Sequence, residues 1–148
     1  MAEHDGIEGI TGYLLRRLGI RQGNRIVLLN APTAYREAIE AAIPRRARLI
    51  EVSQAGPRAP IDVALIWPVT LGLFEQSLRD LRDRLASHPS IWVILQKAGA
   101  GLRDRTVSRD EAVASAISLN FEDGGFRGFA GNLYALRLEQ RRSRPSAG

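Results

Sequence analysis

The sequence predicts an α/β sandwich around a mostly parallel sheet, closed by an antiparallel pair of strands at the C-terminal end. Short apolar runs such as "IVLL" and "IWVIL" recur along the chain, as in strands that are buried on both faces of a sheet. Between these runs, apolar residues repeat every three or four positions, which is the period of an amphipathic helix. Strands that alternate with helices favour a parallel sheet covered on both faces.

The N-terminal part predicts a short helix, a strand and a second helix. Apolar residues recur at helical spacing over residues 10–18, and Gly19 follows as a stop signal. Residues 25–30 supply the first strand, whose centre is apolar throughout. The helical period returns over residues 35–43, and Pro44 ends this second helix because proline cannot continue it.

The centre of the chain predicts two more strands and the best amphipathic helix. Residues 47–52 form the second strand and residues 61–67 the third. Apolar residues at intervals of three and four over residues 71–85 predict a helix that ends near His88. Only residues 53–60 join strands two and three, although parallel neighbours ordinarily need a crossover of a dozen or more residues. Either this loop crosses in an extended form or the second strand is misplaced.

The last third predicts a strand, a helix and the antiparallel pair. "IWVILQ" is a fourth buried strand, and the S-x-x-E pattern that begins at Ser108 is the capping box of a fourth helix. Turn residues 123–125 precede a strand-like stretch over residues 133–138, which indicates a closing antiparallel pair. We expect residues 1–140 to form one domain and residues 141–148 to form a basic, disordered tail.

Composition argues against several classes of protein. The longest apolar run, residues 63–69, is too short to span a bilayer, and "MAEHDGIEG" lacks the features of a signal peptide. We therefore expect a soluble cytoplasmic protein with no membrane partner. The absence of cysteine rules out a disulfide or a thiolate nucleophile. With His4 in a terminus and His88 interpreted as a solvated residue at a helix end, no metal site is expected.

The net charge is +5, and all but one of the 21 basic residues are arginine, which is typical of nucleic-acid-binding surfaces. Most of these arginines alternate with acids, as in "RDLRDRLA". Concentrated positive charge is confined to residues 45–48 and to the tail. The sequence therefore predicts against a nucleic-acid partner, and predicts that any binding through the tail is weak and vanishes near physiological salt. A nucleic-acid-associated protein stays an alternative.

Three segments, "LGIRQGNRIVLLNAP", "IDVALIW" and "LRDLRDRLASHPSIWVILQK", resemble in their order the core of class I S-adenosylmethionine-dependent methyltransferases. The resemblance implies a Rossmann-like fold, with Asp62 matching an acid that often opens the central strand of that family. It also implies glycines after the first strand and an acid after the second strand for the ribose hydroxyls of the cofactor. Here the first turn is residues 30–33 without glycine, Pro32 lacks an N–H, and Glu51 lies near the position of the acid.

The same segments, with the final strand pair, also resemble a family of short bacterial proteins that is known only as a domain of unknown function. The chain is identified as a member of that family over nearly its whole length. Membership implies a Rossmann-like fold and a bacterial source, and it carries over no activity and no cofactor.

Ligands of open α/β sheets bind at the carboxyl ends of the strands. Candidate ligand-binding residues at those ends, together with the start of the fourth helix, are Asn30, Thr33, Trp67, Thr70, Lys97 and Ser108. Lys97 is the only lysine, and we expect it to converge with Arg103 and the helix start at Ser108 on one anionic group.

No complete catalytic motif accompanies these residues. Asp62 has no acid–base partner near it in the sequence, so we interpret it as a strand-start residue and assign no catalytic residue. The leading hypothesis is a non-catalytic Rossmann-like domain that binds a small ligand or a protein partner, with the cofactor left open. The alternative is a divergent S-adenosylmethionine-dependent methyltransferase.

Overall fold

The computed structural model describes residues 7–97 and 107–141. Its α-helices are α1 (Gly12–Arg17), α2 (Thr33–Ala42), α3 (Leu71–Arg82) and α4 (Arg109–Ser118). Its strands are β1 (Arg25–Leu29), β2 (Arg48–Leu49), β3 (Ile61–Ile66), β4 (Leu85–Gln96), β5 (Phe121–Gly128) and β6 (Leu133–Gln140). Single 3-10 turns lie at Ile7–Gly9 and Val52–Gln54.

The strands form one six-stranded sheet in the order β2-β1-β3-β4-β6-β5. Neighbours from β2 to β4 are parallel, whereas β6 pairs antiparallel with both β4 and β5. Alternate residues of β1 show why the sheet is apolar throughout: Ile26 and Leu28 pack with α1 and α2, while Val27 packs with α3 and α4. This confirms the predicted α/β sandwich with its closing antiparallel pair.

The connection from β2 to β3 crosses β1 without an α-helix, because β2 and β3 lie on opposite sides of β1. It consists of the 3-10 turn Val52–Gln54 and a tight turn in which Gly56 and Ala59 bond each other. Arg84 Nη1 donates to the carbonyl oxygens of Val52 (2.8 Å) and Ala55 (3.0 Å). These two hydrogen bonds hold the connection against the loop between α3 and β4. The second strand is therefore correctly placed, but it is shorter than predicted because the chain turns away after Leu49.

The predicted end of the third helix was wrong. Helix α3 ends at Arg82 with Asp83 as its C-cap, and His88 lies inside β4 rather than at a helix terminus. Ile61 pairs with Leu85, but Val63 pairs with Ser90, so the register of β4 shifts between these pairs. The shift spans Pro89, which has no N–H for the ladder.

The predicted turn at residues 123–125 was also wrong, because these residues form a bulge inside β5. Asp123 Oδ1 accepts a hydrogen bond from the Gly125 N–H (2.7 Å), and the β5–β6 register shifts between Asp123 and Phe126. The hairpin turns instead after Gly128, where the Leu133 N–H donates to the Ala130 oxygen (3.1 Å). An aspartate side chain that accepts from the backbone N–H two residues later occurs both in β-bulges and in hairpin loops. The pattern of residues 123–125 alone therefore does not distinguish a bulge from a turn.

The structure confirms two local signals, and some predictions fall outside it. The capping box of α4 is present, with the Glu111 N–H 3.1 Å from Ser108 Oγ and the Ser108 N–H 2.9 Å from Glu111 Oε1. Gly19 follows α1 with φ of +94°.

His4 and the tail beyond Arg141 lie outside the described residues. Within the described ranges, every helix is too short or too polar to cross a membrane.

Gly19→Ala is expected to lower the free energy of unfolding by about 2 kcal/mol, because a side chain at this positive φ is strained and its Cβ would lie 2.5 Å from Ser90 Oγ. Gly23→Ala is the matched control, since Gly23 also has positive φ but open space around it, and should cost about 1 kcal/mol. Urea denaturation measures both losses. Adding Ser90→Ala to Gly19→Ala should recover the stability that Gly19→Ala loses beyond the loss of Gly23→Ala. Equal losses for the two glycine variants would contradict the steric explanation.

Candidate ligand site at the carboxyl edge of the sheet

The carboxyl edge is the edge at which β1, β3 and β4 end. Strands β1 and β3 are neighbours to their last residues, and the Trp67 N–H donates to the Leu29 oxygen (2.9 Å) just beyond them. The chain leaves β1 toward β2 on one side, while β3 lies on the other side. Such a point of divergence is where open α/β sheets form a ligand crevice. The structure therefore brings Asn30 and Trp67 to the expected position.

The turn that follows β1 has an unusual backbone. Asn30 is exposed and adopts φ of +62°, in the left-handed region that asparagine tolerates better than most residues. Pro32 is the N-cap of α2 and provides no side-chain acceptor for the first N–H groups of that helix. Thr33, the first residue of α2, is exposed beside them. This turn therefore presents a helix N-terminus with its partial positive charge to the crevice.

Glu51 provides an acidic group next to α2. It follows β2 by two residues, and its side chain is 70% exposed. Arg36 Nη2, on α2, lies 3.6 Å from Glu51 Oε2, and the Glu51 N–H donates to Gln54 Oε1 (2.8 Å). The carboxylate is thus held near the start of α2, with most of its surface available as a hydrogen-bond acceptor.

Trp67 follows β3 at the carboxyl edge and packs among other aromatic rings. Its ring lies 6.0 Å from the Tyr35 ring of α2 and 6.1 Å, edge to face, from the Phe129 ring between β5 and β6. The residue is only 8% exposed, and its buried Nε1 has no hydrogen-bond partner within residues 7–97 and 107–141. Phe129 is absent from the candidate residues of the sequence analysis, because nothing in the local pattern of the β5–β6 hairpin predicts a contact with Trp67.

Two predicted site residues use their hydroxyl groups locally. Thr70 Oγ1 accepts from the Leu73 N–H (3.1 Å) as the N-cap of α3, and Ser108 Oγ serves the capping box of α4. Lys97 follows β4, its N–H donates to the Asn132 oxygen (2.8 Å), and its side chain is exposed. The expected convergence of Lys97 with Arg103 and Ser108 stays a prediction, since Arg103 lies outside the described residues.

Asp62 lies at the opposite end of β3 and has a structural role. Its Oδ2 accepts a hydrogen bond from the Arg25 N–H (2.9 Å), which joins the first residue of β1 to the start of β3. This agrees with the interpretation of Asp62 as a strand-start residue. The described residues contain no group of three histidine, aspartate or glutamate side chains that would hold a metal ion.

A further polar cluster joins α4 to the β5–β6 hairpin. Arg109 Nη2 lies 3.2 Å from Asp123 Oδ2, and the Arg109 guanidinium sits over the Phe126 ring at 6.0 Å. Phe126 contacts the Tyr134 ring edge to face at 5.9 Å. Burial raises the pKa of Tyr134, Arg109 lowers it in part, and Asp110 and Asp123 raise it further. The phenol therefore stays protonated at neutral pH.

Comparisons with known proteins show the fold. No protein-family model and no curated protein match the sequence. The structure is similar to a SAM-dependent methyltransferase from Aquifex aeolicus, with a TM-score of 0.59 and 10% identity over 85% of this chain and 87% of that chain. It is similar to the pyocyanin biosynthetic protein PhzM, with a TM-score of 0.63 and 13% identity over 90% of this chain and 55% of that one.

A third similar structure is the O-methyltransferase NcsB1 from neocarzinostatin biosynthesis, solved with S-adenosylmethionine and 2-hydroxy-5-methyl naphthoic acid. Its TM-score is 0.58 and its identity 13%, over 83% of this chain and 50% of that one. The chain thus spans about half the length of PhzM and NcsB1. These neighbours confirm the Rossmann-like fold. The resemblance to the bacterial family stays a prediction.

Proposed function

We propose that this chain binds S-adenosylmethionine in the crevice between β1 and β3, as a divergent methyltransferase domain. The fold of the neighbouring structures supports this proposal, and so do the residues that line the crevice. When bound, S-adenosylmethionine supplies an activated methyl group, and the chain's own residues hold and orient it.

The observation that carries the proposal is the left-handed backbone of Asn30. The absence of glycine in this turn is the main argument of the sequence against cofactor binding, because glycine gives the backbone its positive φ. Asn30 adopts φ of +62° and supplies that conformation with a side chain in place. Pro32 removes one N–H donor, but the N–H groups of Thr33 and Ala34 follow in the first turn of α2.

The remaining groups fit the polarity of an adenosyl ligand. The exposed Glu51 carboxylate is an acceptor of the kind that ribose hydroxyl groups bind. Trp67 gives the crevice an apolar floor, and its orphaned indole N–H is a donor without a partner in the described structure. Tyr134 is not assigned as a base, because burial raises the pKa of its phenol.

Titration calorimetry with S-adenosylhomocysteine tests the proposal. We expect micromolar binding to the unmodified chain, or about −8 kcal/mol. Glu51→Gln should weaken it about tenfold or more, the scale of one hydrogen bond to a charged group. Glu40→Gln is the matched control, because Glu40 is an exposed glutamate toward the other end of α2 and should bind as the unmodified chain does.

A second candidate is a domain that binds another small ligand or a protein partner and transfers no methyl group. The glycine-free turn with Pro32 at the N-cap of α2 favours it, since side chains there narrow the approach to the backbone. It predicts no heat on addition of S-adenosylhomocysteine. That result, or equal weakening by Glu51→Gln and Glu40→Gln, would contradict the proposed cofactor site.

A further inference from the structure

The edge at which β1, β3 and β4 begin, the amino edge, lies opposite the crevice and carries most of the arginines within residues 7–97 and 107–141. Helices α1, α2 and α3 end there. Arginines that lie at helix ends, in the loops before strands or at the end of β6 on this edge are Arg16, Arg17, Arg21, Arg45, Arg46, Arg48, Arg58, Arg79, Arg82, Arg137 and Arg141. Acidic residues of the same region are Glu40, Asp62, Asp80, Asp83, Glu122 and Glu139. The fold therefore separates charges that alternate along the sequence.

The strongest part of this edge is the α1–β2 arginine surface, which we define as Tyr13, Arg16, Arg17, Arg45, Arg46 and Arg48. All six side chains are exposed. The loop before β1 joins the two halves of the surface, because the Gly23 N–H donates to the Arg45 oxygen (3.2 Å). A cleft of about 420 Å³ opens between the halves, lined by Gly12, Arg16, Ile20, Arg21, Gln22, Ala42 and Pro44.

Helix ends alone do not explain this accumulation. Arg16 and Arg17 lie in the last turn of α1, where positive charge is favourable in any helix. Arg45 and Arg46, by contrast, are displayed by a tight turn after α2 in which the Ala47 N–H donates to the Pro44 oxygen (3.1 Å). Within residues 7–97 and 107–141, none of these four arginines forms an ion pair. Such uncompensated, exposed charge attracts polyanions.

Tyr13 adds a flat aromatic surface to the charge. Its side chain is among the most exposed of the large hydrophobic ones, at 66%, and so contributes little to the core. The Arg17 guanidinium lies over the ring at 5.8 Å. An exposed aromatic ring among arginines is the combination with which proteins bind single strands, because bases stack on the ring while phosphates contact the charges.

A second cleft lies on the same edge. It measures about 650 Å³ and is lined by Ser87, His88, Pro89, Arg137, Glu139, Gln140 and Arg141. Trp92 connects it to α1, since its Nε1 donates to the Leu18 oxygen (2.7 Å) while the Arg137 guanidinium lies over its ring at 5.7 Å. The Nε of Arg137 is buried and has no hydrogen-bond partner among the described residues, and it lies 3.9 Å from Glu139 Oε2 in an ion pair. Both clefts therefore lie on the amino edge, each with arginine side chains in its lining.

We propose that the α1–β2 arginine surface binds a single-stranded nucleic acid, with arginines contacting its phosphates and Tyr13 stacking on a base. The proposal does not depend on cofactor binding at the carboxyl edge. The sequence predicts only weak binding of nucleic acid through the C-terminal tail. The present proposal differs, because it assigns the binding to residues of the folded domain.

Fluorescence anisotropy of a labelled oligouridine with the full chain, over a series of salt concentrations, tests the charges. The logarithm of the affinity should fall linearly with the logarithm of salt, by about 0.7 for each phosphate contacted. Arg45→Gln/Arg48→Gln should reduce that slope by about 1.4 and weaken binding about tenfold at low salt. The control Arg109→Gln/Arg127→Gln removes the same charge from exposed residues of α4 and β5, and should change the affinity less than about twofold.

The contribution of stacking has its own test. Tyr13→Ala should weaken oligouridine binding about tenfold, whereas Tyr13→Phe, which keeps the ring, should bind as the unmodified chain does. Circular dichroism verifies that each variant is folded. Equal weakening by the control pair, full binding by Tyr13→Ala, or loss of all binding in a chain that ends at Arg141 would each overturn the proposal. Preferential binding to phosphatidylserine vesicles would overturn it in favour of a membrane surface.

Discussion

Replacing Trp92 with alanine is expected to lower the free energy of unfolding by about 3 to 5 kcal/mol, the usual cost of removing a buried aromatic side chain. Trp92 is 2% exposed in the centre of β4 and contacts two other parts of the molecule. Its indole N–H donates to the Leu18 oxygen at the end of α1, and Arg137 of β6 covers its ring. The substitution therefore removes core volume and detaches α1 from the sheet.

Urea denaturation followed by circular dichroism measures this loss of stability. Two further variants separate the contribution of the indole hydrogen bond from that of burial. Trp92→Phe keeps most of the volume but leaves the Leu18 carbonyl without its donor, which should cost about 1 to 3 kcal/mol. Phe126→Ala removes a large aromatic side chain that is 65% exposed, and should cost less than about 1 kcal/mol. If Trp92→Ala cost no more than Phe126→Ala, the assignment of Trp92 as the joint between α1 and the sheet would be wrong.

Arg84→Met is expected to lower the free energy of unfolding by about 3 kcal/mol, because it removes two charge-assisted hydrogen bonds. Two such bonds would contribute more if they were fully buried, but Arg84 is half-exposed. Methionine keeps the apolar length of the side chain but donates nothing. The carbonyl groups of Val52 and Ala55 then lose the donor that fixes the β2–β3 connection. Hydrogen exchange should show faster exchange of the Gln54 and Ala55 amides, which close the 3-10 turn.

Arg58→Met is the matched control for this prediction. Arg58 lies in the same connection and its side chain is exposed. Among the described residues, this side chain donates no hydrogen bond to the backbone of the connection. It should change the stability by less than about 0.5 kcal/mol and leave amide exchange unaltered. Equal effects of the two substitutions would mean that loss of positive charge, and not loss of the two hydrogen bonds, destabilises the connection.

Strand positions were predicted well from the sequence where burial on both faces dictates an apolar run, as in β1 and β3. The end of α3 was misjudged because Leu85 continues the helical period although it already belongs to β4. The pairing of Ile61 with Leu85 decides that boundary, and such a long-range pair leaves no local signal. The short crossover was foreseen as a difficulty, whereas the arginine that stabilises it comes from a distant element.

The candidate site was only partly predictable for a related reason. Residues that cap helices and residues that bind ligands are drawn from the same polar types, so Thr70 and Ser108 were named as site residues although both are caps. The conformation of Asn30 depends on the geometry of the turn and not on residue type alone. The gathering of arginines at one edge follows from the direction of each helix and strand, which a linear pattern of alternating charges conceals.

The length of β1 sets the distance between the two proposed binding surfaces. The strand has five residues, and at about 3.3 Å per residue it separates its two ends by roughly 16 Å. A nucleoside in the crevice and a nucleic-acid strand along the amino edge would therefore occupy opposite ends of the same strands without steric competition. Each ligand should bind with the same affinity whether or not the other is present, unless one of them shifts the strands along their own axes.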